Sequence, residues 1–337
     1  MEFKTYDEMF VTNVANIMAN GLNASPRGMA IKEELFARNV LLNPRSRGIM
    51  SEARSTDLWY AFGELFWYLS RSQYLVDIQY YSPSIGKYSD DGITLNSAYG
   101  YVMGEKYGDQ IGQAIRVLRL DRDSRQSIIV LRHPNEVFDE TTKDQICTIA
   151  LQLFIRNEKL HMGTVMRSND LFVGFVFDVF CFTMIQEFIA ACLGVEVGPY
   201  THISNSLHIY SQHFDVCSKL STGQMKTSDI VMDRMTFSPD DPAVAMMHIC
   251  ETEKKIRNAK SGEHASNLFD EYATGPYATD YWSAILLVLL AKKYYTLKKF
   301  NSIDGVCMRY LKSMNQWDYH EYLKKKLDSI EETEGSK

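Results

Sequence analysis

Apolar and polar residues alternate in the middle of the chain as they do in paired strands. Residues 126–132 (QSIIVLR) predict one strand, and residues 148–156 (TIALQLFIR) predict another, in which the alternate apolar residues from Ile149 to Ile155 share one face. A turn at Asn157–Lys159 separates this strand from a third over residues 160–166. The second and third runs therefore predict a hairpin.

Longer apolar segments indicate helices between and beside these strands. Residues 57–70 are apolar on most faces and carry one carboxylate, Glu64, in the middle, which predicts a buried helix. Asp178–Cys192 predicts a second helix that stops at Gly194, and residues 202–210 predict a further strand. Helices and strands are interleaved without a regular rhythm or a phosphate-binding glycine motif, so the pattern predicts an α+β fold.

The chain changes character after about residue 255. Residues 259–272 (AKSGEHASNLFDEY) are polar and resemble a loop, and helices are predicted over residues 282–299 and 305–327. We therefore expect a core over residues 1–255 and a helical C-terminal extension over residues 256–337.

Composition and charge restrict the class of partner. Hydrophobic residues make up 45% and charged residues 23% of the chain, as in ordinary globular proteins. The 36 basic and 42 acidic residues give a net charge of −6, which argues against nucleic acid or an anionic membrane as partner. The apolar run Tyr281–Ala291 has about half the length that spans a bilayer, and the N-terminus has no long apolar segment. We expect a cytoplasmic protein in which a few placed arginines hold any anion.

The cysteines are scattered and form no C-x-x-C pair, which argues against a metal site and against a disulfide framework. They are Cys147, Cys181, Cys192, Cys217, Cys250 and Cys307. Cys147 stands where the second predicted strand begins, so it is either a packing residue or a nucleophile. A nucleophilic thiolate needs a nearby cation, which the sequence alone does not place.

The densest polar cluster is Met166–Asp170 (MRSND), at the end of the third predicted strand. Such a cluster indicates either a site at the strand tip or a solvated turn. It belongs to an ordered series of segments: CTIALQLFIRNEKL, MRSND, VGFVFDVFCFTMIQE and THISNSLHIYSQH. Over roughly residues 20–215 this series resembles the thymidylate synthase superfamily, and most closely the pyrimidine nucleotide (deoxycytidylate) hydroxymethylases.

The resemblance implies a homodimeric one-carbon transferase with a mixed sheet and packed helices. Residues 1–255 would form the catalytic domain, and the extension over residues 256–337 matches nothing in the family. The family transfers a one-carbon unit from 5,10-methylenetetrahydrofolate to C5 of a pyrimidine nucleoside monophosphate.

The resemblance also implies roles for the reacting residues. Cys147 matches the nucleophile that adds to C6 of the base. Thr148 follows it where thymidylate synthases usually have histidine, and the Cys-Thr pair is common in hydroxymethylases. Glu64 matches the glutamate that organises water at the base, and Tyr99 matches the tyrosine that helps the C5 proton leave.

The phosphate of the nucleotide is matched by arginines, which pair bidentately with its oxygens. Arg167 and Ser168 match the family's phosphate-binding pair, and Arg125 matches an arginine donated across the dimer interface. Gln126 stands where the family often has a second arginine. Arg27 matches a mobile-loop arginine or is simply solvated.

The base and the sugar have their own matches. Asp178 replaces the asparagine of thymidylate synthases, and an ionised carboxylate suits the amino group of cytosine. The alternative is that Asp178 is a helix N-cap. Asn169 belongs with the substrate-binding residues, and His208 and Tyr210, two apart on a strand, match the pair that binds the 3′-hydroxyl.

The folate co-substrate is matched by Asp170, Gly174 and Phe177, which correspond to residues that hold the pterin. Tyr80–Tyr81 stand in place of the family's tryptophan over the reacting methylene, and the tail EETEGSK lacks the apolar residues that shield hydride transfer. Both departures favour water over hydride as the final nucleophile.

We therefore expect conversion of dCMP to 5-hydroxymethyl-dCMP. The alternatives are methylation of dUMP by a thymidylate synthase, hydroxymethylation of dUMP or CMP, and a nucleotide-binding regulatory protein that has lost catalysis.

Overall fold

The computed structural model describes residues 1–51, 53–134, 141–226, 229–314 and 316–335. It divides into two compact units. The first comprises Met1–Thr56 and Arg71–Met232, and the second comprises Asp57–Ser70 and Asp233–Lys337. The first unit combines a mixed sheet with helices, which confirms the predicted α+β class.

The sheet of the first unit has the strand order β1-β3-β9-β7-β6-β5, with β2 beside β3 and β8 beside β9. Pairings β1·β3, β7·β9 and β8·β9 are parallel, and β2·β3, β3·β9, β6·β7 and β5·β6 are antiparallel. Strands β4 and β10 pair separately. The strands are β1 (Glu2–Phe3), β2 (Leu22–Ala24), β3 (Ile31–Leu41), β4 (Ser46–Ile49), β5 (Ile128–Val130), β6 (Thr148–Arg156), β7 (Lys159–Met166), β8 (Asn169–Asp170), β9 (Glu196–Tyr210) and β10 (Asp229–Val231).

The predicted hairpin is formed by β6 and β7. Asn157 and Glu158 both have positive φ, the conformation that a two-residue hairpin turn requires. Alternate residues of β6 from Leu151 to Ile155 are buried as predicted, but Ile149 is only half-buried. The register shifts between Thr148 and Ala150, and such an irregularity changes the face on which the next side chain lies.

The helices of the first unit are α1 (Tyr6–Asn20), α3 (Leu75–Gln79), α4 (Tyr99–Gly104), α5 (Gln110–Leu120), α6 (Gly174–Leu193) and α7 (Phe214–Ser221). Helix α6 ends at Gly194, which has φ 65°, as the sequence predicted, but it begins four residues before Asp178. Its length and hydropathy would suffice to cross a membrane, yet 78% of its most apolar window is buried inside the fold, as in a core helix.

A buried charge cluster anchors α6 in the first unit. The carboxylate of Glu187 pairs with Arg45 Nε at 2.8 Å and with Arg47 Nη2. The side chain of Arg47 is fully buried, and that of Glu187 is 4% exposed. Burial removes water from both charged groups, and the ion pair between Arg47 and Glu187 replaces that hydration. Either charge without its partner would destabilise the fold.

The second unit is helical. Its helices are α2 (Leu58–Leu69), α8 (Pro242–Asn258), α9 (Gly262–Ala273), α10 (Asp280–Thr296), α11 (Phe300–Ser302), α12 (Arg309–Ser313) and α13 (Trp317–Gly335). Asp57 caps α2 by accepting from the N–H groups of Trp59 and Tyr60. The indole N–H of Trp59 donates to the carbonyl of Val288 at 2.9 Å, and Phe66 meets Trp282 edge-on. The apolar faces of α2 therefore pack against α10, which comes much later in the chain.

Two predictions in this region are wrong in detail. Residues 259–272 include helix α9, since Ser261 caps its first turn and Ala265, Phe269 and Tyr272 form a buried stripe at helical spacing. The helix predicted over residues 305–327 is divided into shorter segments.

The predicted boundary at residue 255 falls inside α8, whereas the compact units separate at Asp233 and include Asp57–Ser70 in the helical unit. The assignment of residues 1–255 as the catalytic domain stays a prediction.

We expect Glu187→Ala to lower the free energy of unfolding by about 3–5 kcal/mol, because it leaves the buried Arg47 without its counter-ion. Urea denaturation followed by circular dichroism measures this loss. Glu105→Ala is the control: Glu105 pairs with Arg71 at 3.4 Å at the exposed surface, where an ion pair contributes at most about 1 kcal/mol. Equal losses in the two variants would contradict the structural role of Glu187.

Candidate active site

A cavity of about 720 Å³ opens in the first unit. Five of the predicted site residues line it, namely Arg27, Arg167, Ser168, His208 and Tyr210. The other lining residues are Ala24, Pro26, Ile31, Glu33, Arg132, Thr142, Gln145 and Ser206. The cavity has the size of a small-molecule site, and its walls carry three guanidinium groups.

Strand β9 supplies one wall of this cavity. His208 and Tyr210 are two apart and share a face, with ring centroids 5.0 Å apart and ring planes perpendicular. His208 Nδ1 lies 3.3 Å from the carbonyl oxygen of Ser206, to which it can donate. The Ser206 hydroxyl in turn donates to Glu33 on β3. The two predicted sugar-binding residues are therefore held by contacts within the sheet.

Arg167 directly follows β7 and is tied to the segment that precedes β6. Its backbone N–H donates to the carbonyl of Cys147, Nε donates to that of Ile146 at 3.0 Å, and Nη2 donates to that of Gln145 at 3.0 Å. The same Nη2 lies 3.4 Å from Cys147 Sγ. The cation that a nucleophilic thiol needs is thus placed by the fold and also lines the cavity.

Opposing effects act on the thiol of Cys147. Burial raises its pKa above the ordinary value, and the positive charge of Arg167 partly offsets that rise. The carboxylates of Asp178 and Asp144 raise the pKa further, whereas Arg132 lowers it. In the free protein the thiol is therefore mainly protonated, and its reactivity depends on the charges that surround it.

Tyr99 lies beside the nucleophile. Its hydroxyl oxygen accepts from the backbone N–H of Thr148 at 3.3 Å, and its ring stacks on Phe182. Burial raises the pKa of Tyr99 well above its usual range, so the phenol stays neutral and keeps its proton.

Asp178 lies in the second turn of α6, where it does not cap the helix. The residue at the N-cap is Val173, so the capping interpretation is wrong. Instead, Asp178 Oδ2 accepts from Asn169 Nδ2 at 2.7 Å. The two predicted base-side residues are therefore in direct contact.

Of the predicted folate residues, Asp170 ends β8, and Gly174 and Phe177 lie near the start of α6; none of the three is among the residues that line the cavity. Asp170 Oδ1 accepts from the N–H groups of Phe172 and Val173, and burial raises its pKa while His208 opposes the rise. The ring of Phe177 lies 5.3 Å from the guanidinium carbon of Arg54. Their role with folate stays a prediction.

Two further predicted residues are not among those that line this cavity, and the same holds for Cys147, Tyr99, Asn169 and Asp178. Arg125 is exposed and lines a separate depression with Asp121, Asp123, Ser124 and Gln126. Glu64 lies on α2 of the second unit, is 8% exposed, and accepts at Oε1 from the Tyr60 hydroxyl at 2.7 Å. The roles of both in catalysis stay predictions.

Sequence reasoning missed Arg132. Its Nη1 donates to the carbonyl of Ile146 at 2.6 Å, so it meets the same segment as Arg167 while it lines the cavity. A signal was present, because Arg132 is the polar residue that ends the apolar segment of residues 126–132, much as the MRSND cluster ends the third predicted strand.

We expect opposite changes in thiol reactivity from two charge-removing substitutions. Arg167→Gln should raise the pKa of Cys147 and slow its alkylation by iodoacetamide at pH 8 by about several-fold, and Asp144→Asn should lower the pKa and accelerate alkylation. Peptide mass spectrometry measures the rate at Cys147, with Cys192 in the same digest as internal reference. A change of the same sign in both variants would contradict the electrostatic assignment.

The chain is similar in sequence to two bacteriophage proteins. The chain is 30% identical over 220 residues to a deoxyuridylate hydroxymethyltransferase of Bacillus phage SP01, covering 60% of this chain and 56% of that protein. It is 27% identical over 221 residues to the protein of the same name from Delftia phage PhiW-14, covering 61% and 58%. The chain therefore spans a little over half the length of these relatives.

The chain also resembles a solved structure and matches a family model. Thermostable thymidylate synthase A from Bacillus subtilis superposes with a TM-score of 0.55 at 22% identity, covering 65% of this chain and 84% of that one, and so shares the fold. The family model of thymidylate synthase matches residues 8–249, a range that holds the cavity, Cys147 and Asp178. The chain belongs to the thymidylate synthase family.

Proposed function

We propose that this protein hydroxymethylates C5 of a pyrimidine deoxynucleoside monophosphate, with 5,10-methylenetetrahydrofolate as the one-carbon donor. The observation that carries the proposal is the position of Arg167, whose Nη2 is 3.4 Å from Cys147 Sγ while the side chain lines the cavity. A nucleophile and an anion-binding group are thus adjacent, as addition to a bound nucleotide requires.

The chemistry begins at Cys147. Its thiolate adds to C6 of the base, which makes C5 nucleophilic, and the one-carbon unit is then joined to C5. The proton lost from Sγ and the proton later lost from C5 pass to nearby acceptors, with neutral Tyr99 beside the nucleophile. After the C5 proton is lost, tetrahydrofolate would leave with the electron pair of its bond to the methylene, water would add to the exocyclic methylene, and elimination of the sulfur would restore the pyrimidine ring.

The phosphate would be held at the wall that carries Arg27, Arg132 and Arg167, with the Ser168 hydroxyl beside them. Guanidinium groups pair bidentately with phosphate oxygens. In this proposal Arg132 supplies a contact that Gln126 does not.

Water is proposed as the final nucleophile, in contrast to the hydride of methylating synthases. Thr148 stands beside Cys147, and its buried hydroxyl interacts with the hydroxyl of Tyr99. A pair of hydroxyls beside the nucleophile suits an ordered water molecule. Glu64 would activate the water, and Asp170, Gly174 and Phe177 would bind the folate, since a carboxyl and an aromatic ring suit a pterin.

We place dCMP first as substrate because Asp178, as an ionised carboxylate, accepts from the amino group of cytosine. A second candidate is dUMP, which is favoured by the names of the two phage relatives. Asp178 could accept from N3–H of uracil while the amide of Asn169 donates to O4. The two bases therefore differ in how they would use the same pair of side chains.

A homodimer is proposed for the active form. Arg125 is exposed and away from the cavity of its own chain, as expected for a residue that serves a partner's site. One face of the sheet also carries half-buried Phe154, Val165 and Ile203, and nearby Ile128 is 47% exposed. A second copy would cover this apolar face.

The direct test supplies methylenetetrahydrofolate with dCMP, dUMP, CMP or UMP and determines product masses. We expect a gain of CH2O on a deoxynucleotide and no product from Cys147→Ala, because the C6 adduct cannot form. A gain of CH2 would identify a methylating enzyme. Nucleotide binding by wild-type protein without product or C5–H exchange would favour a regulatory protein.

The dimer proposal predicts complementation between inactive chains. Cys147→Ala supplies an intact Arg125, and Arg125→Ala supplies an intact nucleophile, so mixing them should restore up to about one active site per heterodimer. Activity is measured after subunit exchange has been confirmed by native mass spectrometry. Confirmed exchange without recovered activity would place Arg125 outside the partner's site.

A further inference from the structure

A chain of buried hydrogen bonds ends at the carboxylate of Asp178. Asn169 Nδ2 donates to Asp178 Oδ2 at 2.7 Å, and Asn169 Oδ1 lies 3.0 Å from His202 Nε2. His202 Nδ1 in turn lies 2.9 Å from the Tyr200 hydroxyl. Tyr200 and His202 are fully buried, and Asn169 is 4% exposed. None of these bonds involves the nucleophile or the residues that line the cavity.

The polarity of this chain follows from the acceptor at its end. An ionised carboxylate only accepts, so Asn169 must direct its NH2 group toward Asp178 and its oxygen toward His202. His202 Nε2 must then donate. Burial lowers the pKa of His202 to about 3, so the imidazole is neutral and Nδ1 accepts from the Tyr200 hydroxyl.

The fold places these groups on neighbouring elements. Tyr200 and His202 share one face of β9, Asn169 lies on β8 in register with Leu207, and Asp178 lies in the second turn of α6. A Cβ at Gly174 would lie 3.1 Å from Asn169 Nδ2 and 3.4 Å from Asp178 Oδ2. A larger residue at this position would therefore crowd the pair.

We propose that Tyr200 and His202 are positioning residues for base selection: they fix the amide of Asn169 in one orientation, so that this amide and Asp178 present one defined pattern of donors and acceptors to the pyrimidine. This inference rests on the proposed function. It adds two residues that do not line the cavity to the determinants of base choice.

The effect of the chain is clearest when residue 178 is itself an amide. In Asp178→Asn, the fixed NH2 of Asn169 requires an acceptor, so the new amide turns its oxygen toward Asn169 and its NH2 toward the base. That donor matches O4 of uracil. Without His202 the Asn169 amide can reverse, the new amide reverses with it, and the preference for uracil is lost.

The experiment compares wild type, Asp178→Asn, His202→Leu and the double variant. The measured quantity is the ratio of kcat/KM for dUMP to that for dCMP, and the same ratio for binding affinities without folate. Asp178→Asn should raise this ratio at least about tenfold over the wild-type ratio. In the double variant that also carries His202→Leu, the ratio should lie within about threefold of the wild-type ratio. His202→Gln, whose amide can donate to Asn169, should retain most of the increase.

Tyr200→Phe, alone and with Asp178→Asn, provides the milder change if His202→Leu does not fold, since it removes only the hydroxyl that holds the imidazole tautomer. Thermal melting identifies folded variants. A merely structural role would lower activity on both nucleotides alike and leave the ratio unmoved. An unchanged shift in folded His202→Leu or Tyr200→Phe double variants overturns the inference.

The binding measurement separates this inference from the proposed function. Wild-type protein that binds neither nucleotide overturns the proposed function and the inference together. Wild-type protein that binds but forms no hydroxymethyl product overturns the function alone, because the ratio of affinities still reports on the Asn169 amide.

Discussion

The candidate site depends on the hydrogen bonds that hold the guanidinium group of Arg167 in place. This group is bonded to two consecutive backbone carbonyls, those of Gln145 and Ile146, so its position is set by main chain. From there it reaches the thiol of Cys147 and faces the cavity. The hairpin of β6 and β7 brings the two residues together, because Cys147 precedes one strand and Arg167 follows the other. The pairing of two strands thus brings a cation to a nucleophile.

Much of this arrangement could be predicted from sequence because it is local. The hairpin follows from alternation and a short turn, whereas the contact between Arg167 and Cys147 became apparent only from the pairing of β6 with β7 in the structure. The spacing of His208 and Tyr210 on one strand likewise places them on one face. Periodicity and register are properties of short segments, so a sequence states them directly.

Other features depend on partners distant in the chain. Helix α9 looks polar in sequence because its buried stripe is narrow, and only its packing reveals it. The bonds of Asn169 to Asp178 and His202 join three elements, and His202 alone in sequence resembles any core residue of a strand. Arg132 was missed because its position in the sequence does not show that it bonds to the backbone of Ile146 and lines the cavity.

The helical unit is built from two separate parts of the chain, Asp57–Ser70 and Asp233–Lys337. This separation affects how the unit folds during synthesis. Helix α2 is apolar on most faces, yet Val288 and Trp282, which it contacts, are synthesised roughly two hundred residues later. At about 5–20 residues per second, α2 waits on the order of ten to forty seconds for them. During that interval its aromatic surface is open to chaperones or to other nascent chains. Faster translation of the intervening residues would shorten this exposure in proportion.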